Sequence, residues 1–420
     1  MKYQRIRGMQ DLLPDEQPYW AHVEASCHDL AARFGFERLE APVLEATELF
    51  VRGVGDATDI VSKEMYSFID KGEDALTLRP EFTAGVMRAY IENGLSSRPQ
   101  PQKLYSYGPI FRRERPAKGR YRQFYQLNAE IIGSADALAD LEILLIAHAL
   151  YREIGFKNLV FQINSTGDPE CKPRFLDALR AYFEPIADKL APLDRERLAR
   201  NPLRVLDTKE RDTLPYLADA PRFLDYLNDD CRAHFTELTG YLEALGVPYQ
   251  INHRLVRGLD YYTKTVFELW GEGLGAQAAL CGGGRYDGLI EALGGPPTPG
   301  VGFATGIERI IMSMRELGIA PRALRKPDVF IAHLGEPAKK AAVQLVADLR
   351  GRGIPARIAF GSRSLKAQMK DADRAGCGVA LILGDAELAQ GVILARDLAR
   401  SEQVSVPIAE VPAWLAARNP

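Results

Sequence analysis

The stretch FRRERPAKGRYRQFYQ, residues 111–126, stands between two strand-like runs, QKLYSYGPIF before it and QLNAEIIG after it. Together these predict an antiparallel hairpin over 104–132, with a Pro-Ala-Lys-Gly turn near its tip. Six cations, Arg112, Arg113, Arg115, Lys118, Arg120 and Arg122, surround a single acid, Glu114, in a chain whose net charge is -3. A solvated helix face would pair charges by sign at i,i+4 spacing. Here the cations repel one another unless an anion neutralises them, and phosphate is the natural candidate.

The remaining pattern places this hairpin in a larger α+β body. Residues 15–34 have helical spacing, FERLEAPVLE (36–45) reads as a strand, and LTLRPEFTAGVMRAYIENG as a short strand running into a helix. DALADLEILLIAHALYREIGF predicts a long amphipathic helix and NLVFQIN a strand. Strand signals vanish over 168–245, which reads as a helical insertion. They return in QINHRLVRG, YYTKTVFELW and VGFATG, with the Gly-rich CGGGRYDG read as an interruption between them. A helix is expected over 307–316. After the Pro-rich, charged linker, residues 328–415 alternate strands (VFIAHL, ARIAF, VALILG) with helices, which implies a small, mainly parallel α/β domain. The expected division is a first core segment over 1–167, the insertion over 168–245, a second core segment over 246–320, a linker over 321–327 and a C-terminal domain over 328–420.

Several chemistries are disfavoured. The five cysteines (27, 171, 231, 281, 377) are scattered and form no CxxC pair, so neither a disulfide framework nor a zinc site is indicated, and the six histidines show no HExxH spacing. GxxxxGK[ST] is absent, as is a GxGxxG between strand and helix. No run approaches the roughly 18 apolar residues of a membrane span, and the N-terminal MKYQRIRGMQDLLPDEQ lacks the apolar core of a signal peptide, so a cytoplasmic location is expected.

The basic hairpin, LVRGLDYYTKTVFEL (255–269) and VGFATGIERI (301–310) resemble the active-site motifs of class II aminoacyl-tRNA synthetases. LVRGLDYY and CGGGRYDGL are similar to the peptides peculiar to the histidyl-tRNA synthetase family. RGMQDLLP is similar to its N-terminus, and TLRPEFTA to its TLRPEGTA, with Phe82 where that family usually has Gly. The resemblance implies an antiparallel class II core, a helical insertion and an α/β anticodon-binding domain. It implies activation of L-histidine by Mg-ATP to histidyl-adenylate, then transfer to the 3′ end of histidine tRNA, by a homodimer. Magnesium would enter with ATP, since no protein metal site is read from the spacing. A histidine-sensing regulatory subunit of ATP phosphoribosyltransferase, which shares such a core, is the alternative.

Roles follow residue by residue from the resemblance. Arg112 would hold the α-phosphate and the amino-acid carboxylate, a task that suits a planar fork of donors. Glu114 would accept from the adenine amino group and Phe124 would stack on the base. Arg120 would meet the outer phosphates and Arg309 the γ-phosphate. Arg257 would be the catalytic cation at the reacting α-phosphate, with Arg112 beside it, and would also contact the histidine. Glu81, Gln126 and Thr83 would bind the ammonium, Glu130 and Tyr262 the two imidazole nitrogens, and Tyr261 and Tyr286 would line the pocket. Two adjacent tyrosines in a strand would point to opposite faces. The C-terminal domain carries 12 Lys/Arg against 10 Asp/Glu over 327–420, too balanced to announce RNA by charge. Within it, Arg363, Lys366 and Lys370 are the candidate tRNA contacts.

Overall fold

The computed structural model describes residues 3–55, 58, 60–257, 261–274, 278–323 and 329–418. The expected 321–327 linker therefore lies outside the described residues from 324 on, as do residues 258–260 of the LVRGLDYY peptide. The chain divides into two compact units, Met1–Arg322 and Ala323–Pro420. No helix among the described residues is long and apolar enough to cross a membrane.

Among the described residues the first unit has eleven strands: β1 (Glu37–Arg38), β2 (Leu44–Ala46), β3 (Tyr66–Ile69), β4 (Ala75–Leu78), β5 (Gln102–Phe111), β6 (Gln123–Ile132), β7 (Leu159–Ser165), β8 (Tyr249–Ile251), β9 (Thr263–Gly271), β10 (Ala279–Arg285) and β11 (Gly300–Gly306). Eight of them form one sheet in the order β1-β5-β6-β11-β10-β9-β7-β8. Every interior pair is antiparallel, and only the short edge strands β1 and β8 pair in parallel. The other three make a small antiparallel sheet, β2-β4-β3. The predicted hairpin is present in full register from Gln102↔Ile132 to Phe111↔Gln123.

Some local expectations fail for identifiable reasons. FERLEAPVLE is not one strand but the fragments β1 and β2, which lie in different sheets with Pro42 between them; proline removes a ladder donor and breaks the run. QINHRLVRG keeps strand structure only over β8. The Gly-rich CGGGR, expected as an interruption, is the central strand β10. Glycine weakens a strand in isolation, but here a side chain has no room: a Cβ on Gly283 would lie 2.1 Å from the Gly302 carbonyl oxygen.

One face of the sheet is sealed by the helices Gln17–Arg33, Ala137–Ile154 and Ile307–Glu316, with Asp229–Ala244 packed on Ala137–Ile154. The Ala137–Ile154 helix is apolar around most of its girth because it is covered on several sides, and Leu144, Ala147, Leu150 and Tyr151 are fully buried in the main core. Each large apolar side chain so buried contributes about 1.5–3 kcal/mol. The insertion has its own core, in which Phe175 and Phe223 stack with centroids 4.3 Å apart.

At the end of β10 Arg285 is fully buried. Its guanidinium donates to both oxygens of Asp140, to Asp287 at 3.1 Å, and to the carbonyls of Ser134 at 2.8 Å and Asp136 at 3.0 Å. His234, from the insertion's last helix, approaches the other side of Asp140 at 3.3 Å. Burial pushes the Asp140 carboxyl upward, but His234 and Arg285 outweigh it and hold the group below the usual carboxylate range.

The second unit has five strands, β12 (Val329–Leu334), β13 (Ala356–Ile358), β14 (Val379–Gly384), β15 (Val392–Asp397) and β16 (Gln403–Pro407), in the order β13-β12-β14-β15-β16. The three predicted strands pair in parallel, but β15 and β16 add two antiparallel pairs, so the sheet is mixed rather than mainly parallel. The helices Glu336–Gly351 and Leu365–Arg374 pack on it.

Arg285→Met is expected to destabilise the first unit by about 3–5 kcal/mol, because it strands the Asp140 carboxylate without its main counter-charge. Removing both charges with Asp140→Leu/Arg285→Met should recover much of that loss in urea denaturation. Since the Asp140 carboxyl is lowered in the folded state, the stability it supplies is present above the ordinary Asp range and falls away as pH drops through its folded value.

Candidate active site

The sheet face opposite the long helices opens into a cavity of about 1040 Å³, lined by β6, β9, β10, β11, the hairpin loop and part of the insertion. All thirteen residues assigned from sequence to amino acid or nucleotide line it: Glu81, Thr83, Arg112, Glu114, Arg120, Phe124, Gln126, Glu130, Arg257, Tyr261, Tyr262, Tyr286 and Arg309. Three features of the fold bring them together.

The first is strand parity. Phe124, Gln126, Asn128 and Glu130 alternate along β6 and therefore share its cavity face. Across the sheet, Glu130 is registered with Gly302, which is registered with Gly284; at the other end Gln126 is registered with Gly306.

The second is the side-chain-free floor of β10. The Arg257 guanidinium rests on Gly282, where a Cβ would come within 2.6 Å of its Nη1. Tyr262 rests on Gly284, where a Cβ would lie 2.8 Å from its ring, and Arg309 donates to the Ala279 carbonyl at 3.0 Å. At about 3.3 Å per residue, Arg309, Arg257 and the Tyr262–Glu130 group are thus spaced in that order over roughly 17 Å. One end of the cavity offers guanidinium groups and the other carboxylates and phenols.

The third is burial at the carboxylate end. Glu130 is only 1% exposed and accepts from Thr83 Oγ1 at 2.7 Å, Asn128 Nδ2 at 2.9 Å and the Tyr286 hydroxyl. Burial pushes its pKa up to about 7, against the pull of these donors. Glu81 accepts from the backbone N–H groups of Thr83 at 2.6 Å and Ala84 at 2.8 Å, capping the Thr83–Glu92 helix. Burial raises it too, opposed by those N–H groups and by Arg112.

Arg112 is steered by its own Nε–H, which donates to the Pro80 carbonyl at 2.8 Å, and its guanidinium sits 5.6 Å from the Phe124 ring centroid. Arg257 donates to Glu268 at 2.5 Å, and Trp270 Nε1 holds the other Glu268 oxygen at 3.0 Å. The Nε of Arg257 is buried and without a hydrogen-bond partner among the described residues, while the guanidinium as a whole lines the cavity. Arg120 pairs with Glu114 at 3.2 Å and is largely exposed at the mouth.

One expectation about neighbours needs correcting. Tyr261 and Tyr262 do not alternate, because both precede β9; both rings line the cavity, with centroids 4.7 Å apart. Phe82 needs no glycine conformation: its φ is -96°, and its ring is buried in the core beneath the Arg79 guanidinium, 4.4 Å away. Sequence reasoning also missed several lining residues. Asn128 could have been found from its parity with Gln126 and Glu130. Glu268, Glu308 and the insertion's Asp207, Thr208 and Lys209 carry no such local signal. Glu308 accepts from the Tyr125 N–H at 3.0 Å with both oxygens, and burial pushes its pKa up to about 8.

In the second unit Arg363 pairs with Asp371, while Lys366 and Lys370 lie exposed one turn apart on the Leu365–Arg374 helix. Buried Gln368 fastens the preceding loop by donating to the carbonyls of His333 and Arg363, both at 2.8 Å.

Comparison with known proteins adds independent findings. The sequence profile of histidyl-tRNA synthetase matches residues 8–310, and that of the anticodon binding domain matches 328–418. The histidine–tRNA ligase of Pelotomaculum thermopropionicum is 47% identical over 98% of this chain and 97% of its own. The apo histidyl-tRNA synthetase of S. aureus superposes with a TM-score of 0.83 at 36% identity, over 98% of this chain and 99% of its own. A Bacillus halodurans ATP phosphoribosyltransferase regulatory subunit/histidyl-tRNA synthetase superposes with a TM-score of 0.64 at 22% identity, covering 88% of this chain and 96% of its own.

A Cβ on Gly302 would fall 1.6 Å from Glu130 Oε2. Gly302→Ala should therefore displace that carboxylate and weaken amino-acid binding at least tenfold by calorimetry, with nucleotide binding changed far less.

Proposed function

The chain belongs to the histidyl-tRNA synthetase family, and on that premise we propose how its residues divide the reaction. It is a ligase that activates L-histidine with ATP and joins it to the 3′ end of tRNA(His). ATP is a substrate, and magnesium is taken to arrive with it as the phosphate counter-ion.

Histidine occupies the carboxylate end. Its ammonium is met by Glu81, Gln126 and Thr83, and its imidazole by Glu130 and Tyr262, with Tyr261 and Tyr286 as walls. A neutral imidazole has one donor and one acceptor, so a carboxylate and a phenol satisfy both, whereas an isostere lacking them leaves buried polar groups unpaired. ATP lies toward the arginine end, with adenine on Phe124 and against Glu114, the α-phosphate at Arg112 and the outer phosphates at Arg120 and Arg309. The histidine carboxylate oxygen attacks the α-phosphorus, and the bond to the bridging oxygen of pyrophosphate breaks. Arg257 and Arg112 stabilise the charge spread over the equatorial oxygens, and the Arg257 guanidinium laid over side-chain-free Gly282 within the cavity is the single observation that carries this assignment. In the second step the tRNA 3′-terminal hydroxyl attacks the acyl carbon and AMP leaves.

Arg363, Lys366 and Lys370 are proposed to meet the tRNA. Homodimerisation is proposed for the first unit, supported by the exposed apolar side chains Val43, Leu44, Phe68 and Ile69 on its small sheet and adjoining residues. The cytoplasm, where ATP and tRNA are at hand, is the proposed compartment.

Histidine-dependent exchange of pyrophosphate into ATP without tRNA tests the assignment. Arg257→Ala is expected to lower that exchange by about 10²–10³-fold with histidine binding largely kept. Exchange unchanged by the substitution would remove Arg257 from the chemistry. Histidine binding with no exchange in the wild type would favour the regulatory reading.

The value of about 7 for Glu130 sets a pH dependence. The ionised carboxylate is the form that accepts from an imidazole N–H, so KM for histidine should rise as pH falls below about 7. Glu130→Gln should abolish the enzyme's share of that rise. The substrate's own imidazole titration is common to both proteins and cancels in their ratio.

A further inference from the structure

The insertion's first helix begins just after Asp168 and its last just after Asn228, and at this neck two segments of similar design meet. Each is an Asp or Asn, two further residues and a cysteine: Asp168 to Cys171 and Asn228 to Cys231. Asp168 Oδ1 accepts from the Cys171 N–H at 2.9 Å at the start of one helix, and Asn228 Oδ1 caps the other by accepting from the Cys231 N–H at 3.0 Å. The segments also bond across the neck. The Asn228 backbone N–H donates to Cys171 Sγ at 3.2 Å, and its side-chain Nδ2 donates to Asp168 Oδ2 at 3.0 Å. As a result one Asp168 oxygen and the two sulfurs lie within 4.8 Å of one another. Both cysteines are buried, and Asp168 is half-buried.

We propose that this neck binds a thiophilic divalent cation, zinc being the representative, through Asp168, Cys171 Sγ and Cys231 Sγ. Two thiolates and a carboxylate form a donor set suited to tetrahedral zinc, with a fourth position open. Zinc at about 2.3 Å from sulfur and about 2.1 Å from oxygen needs ligand atoms roughly 3.5–3.8 Å apart, a small contraction from the spacing found. Metal binding would release the two thiol protons. The ion ties the outgoing chain to the returning one, closing the loop that carries Asp207, Thr208 and Lys209 to the cavity wall.

The test is titration of the reduced, chelator-treated full-length protein with Co²⁺. The expected result is a thiolate-to-cobalt charge-transfer band that saturates at one equivalent and is erased by Zn²⁺. It should vanish in Cys171→Ser and in Cys231→Ser, weaken at least tenfold in Asp168→Asn, which keeps the capping oxygen, and survive in Cys27→Ser, a buried thiol elsewhere. Absence of the band, or its survival in both serine variants, overturns the proposal. So does loss of two titratable thiols without metal uptake, which would mark a disulfide. Should the serine variants misfold, X-ray absorption of the zinc-loaded wild type decides. A shell with two sulfurs supports the site, and a shell of nitrogen and oxygen alone rejects it.

Discussion

The structure depends on a floor without side chains. Gly282, Gly284 and Gly302 lie in the middle of the large sheet, where a Cβ would collide with Arg257, Tyr262 or Glu130. Because backbone alone forms that surface, charged groups from β6, β9 and the loops can converge directly above it. A substrate laid there is flanked by these groups and rests on the sheet. The long helices on the opposite face make such a floor affordable, since their apolar packing stabilises a strand that glycine weakens.

The site's electrostatics follow from the same geometry. Registration along β10 and β11 separates the carboxylates near Glu130 from the guanidinium groups near Arg309, and Arg257 stands between them. Burial raises the pKa values of Glu81 and Glu130, so that end of the cavity suits a group able to donate to, or neutralise, a buried carboxylate. The arginines are held by carbonyls and by Glu268 and Glu114, which fixes their direction while leaving donors for phosphate. The insertion takes part as well: His234 on its last helix reaches the buried Asp140–Arg285 pair, directly before the cavity-lining Tyr286.

Much of the site was legible in the sequence because it is local. The hairpin announced itself by alternation and by cations crowded about a turn. Its β6 arm carries Phe124, Gln126 and Glu130 at period two. Arg112, Arg257 and Arg309 were singled out by the resemblance of their peptides to histidyl-tRNA synthetase motifs, and all three line the cavity. What misled was also local. CGGGR reads as a turn by propensity, and only its neighbours on both sides, β9 and β11, explain why glycine is required in a central strand. β15 and β16 were missed because two short strands after a parallel unit carry little signal until they are paired.

The sequence by itself determined the alternation of elements, the separation of a catalytic-type core from an α/β C-terminal unit, and the chemical character of the cavity's two ends. Those are properties of periodicity and of residue type, which act over a few neighbours. Tertiary structure alone decided which residues meet across long separations: Asp140 with Arg285, Glu130 with Gly302, Asp207 to Lys209 with the cavity, and Cys171 with Cys231. Such contacts arise from sheet register and helix packing, which sum many weak interactions over the whole unit, so no short stretch of the chain encodes them.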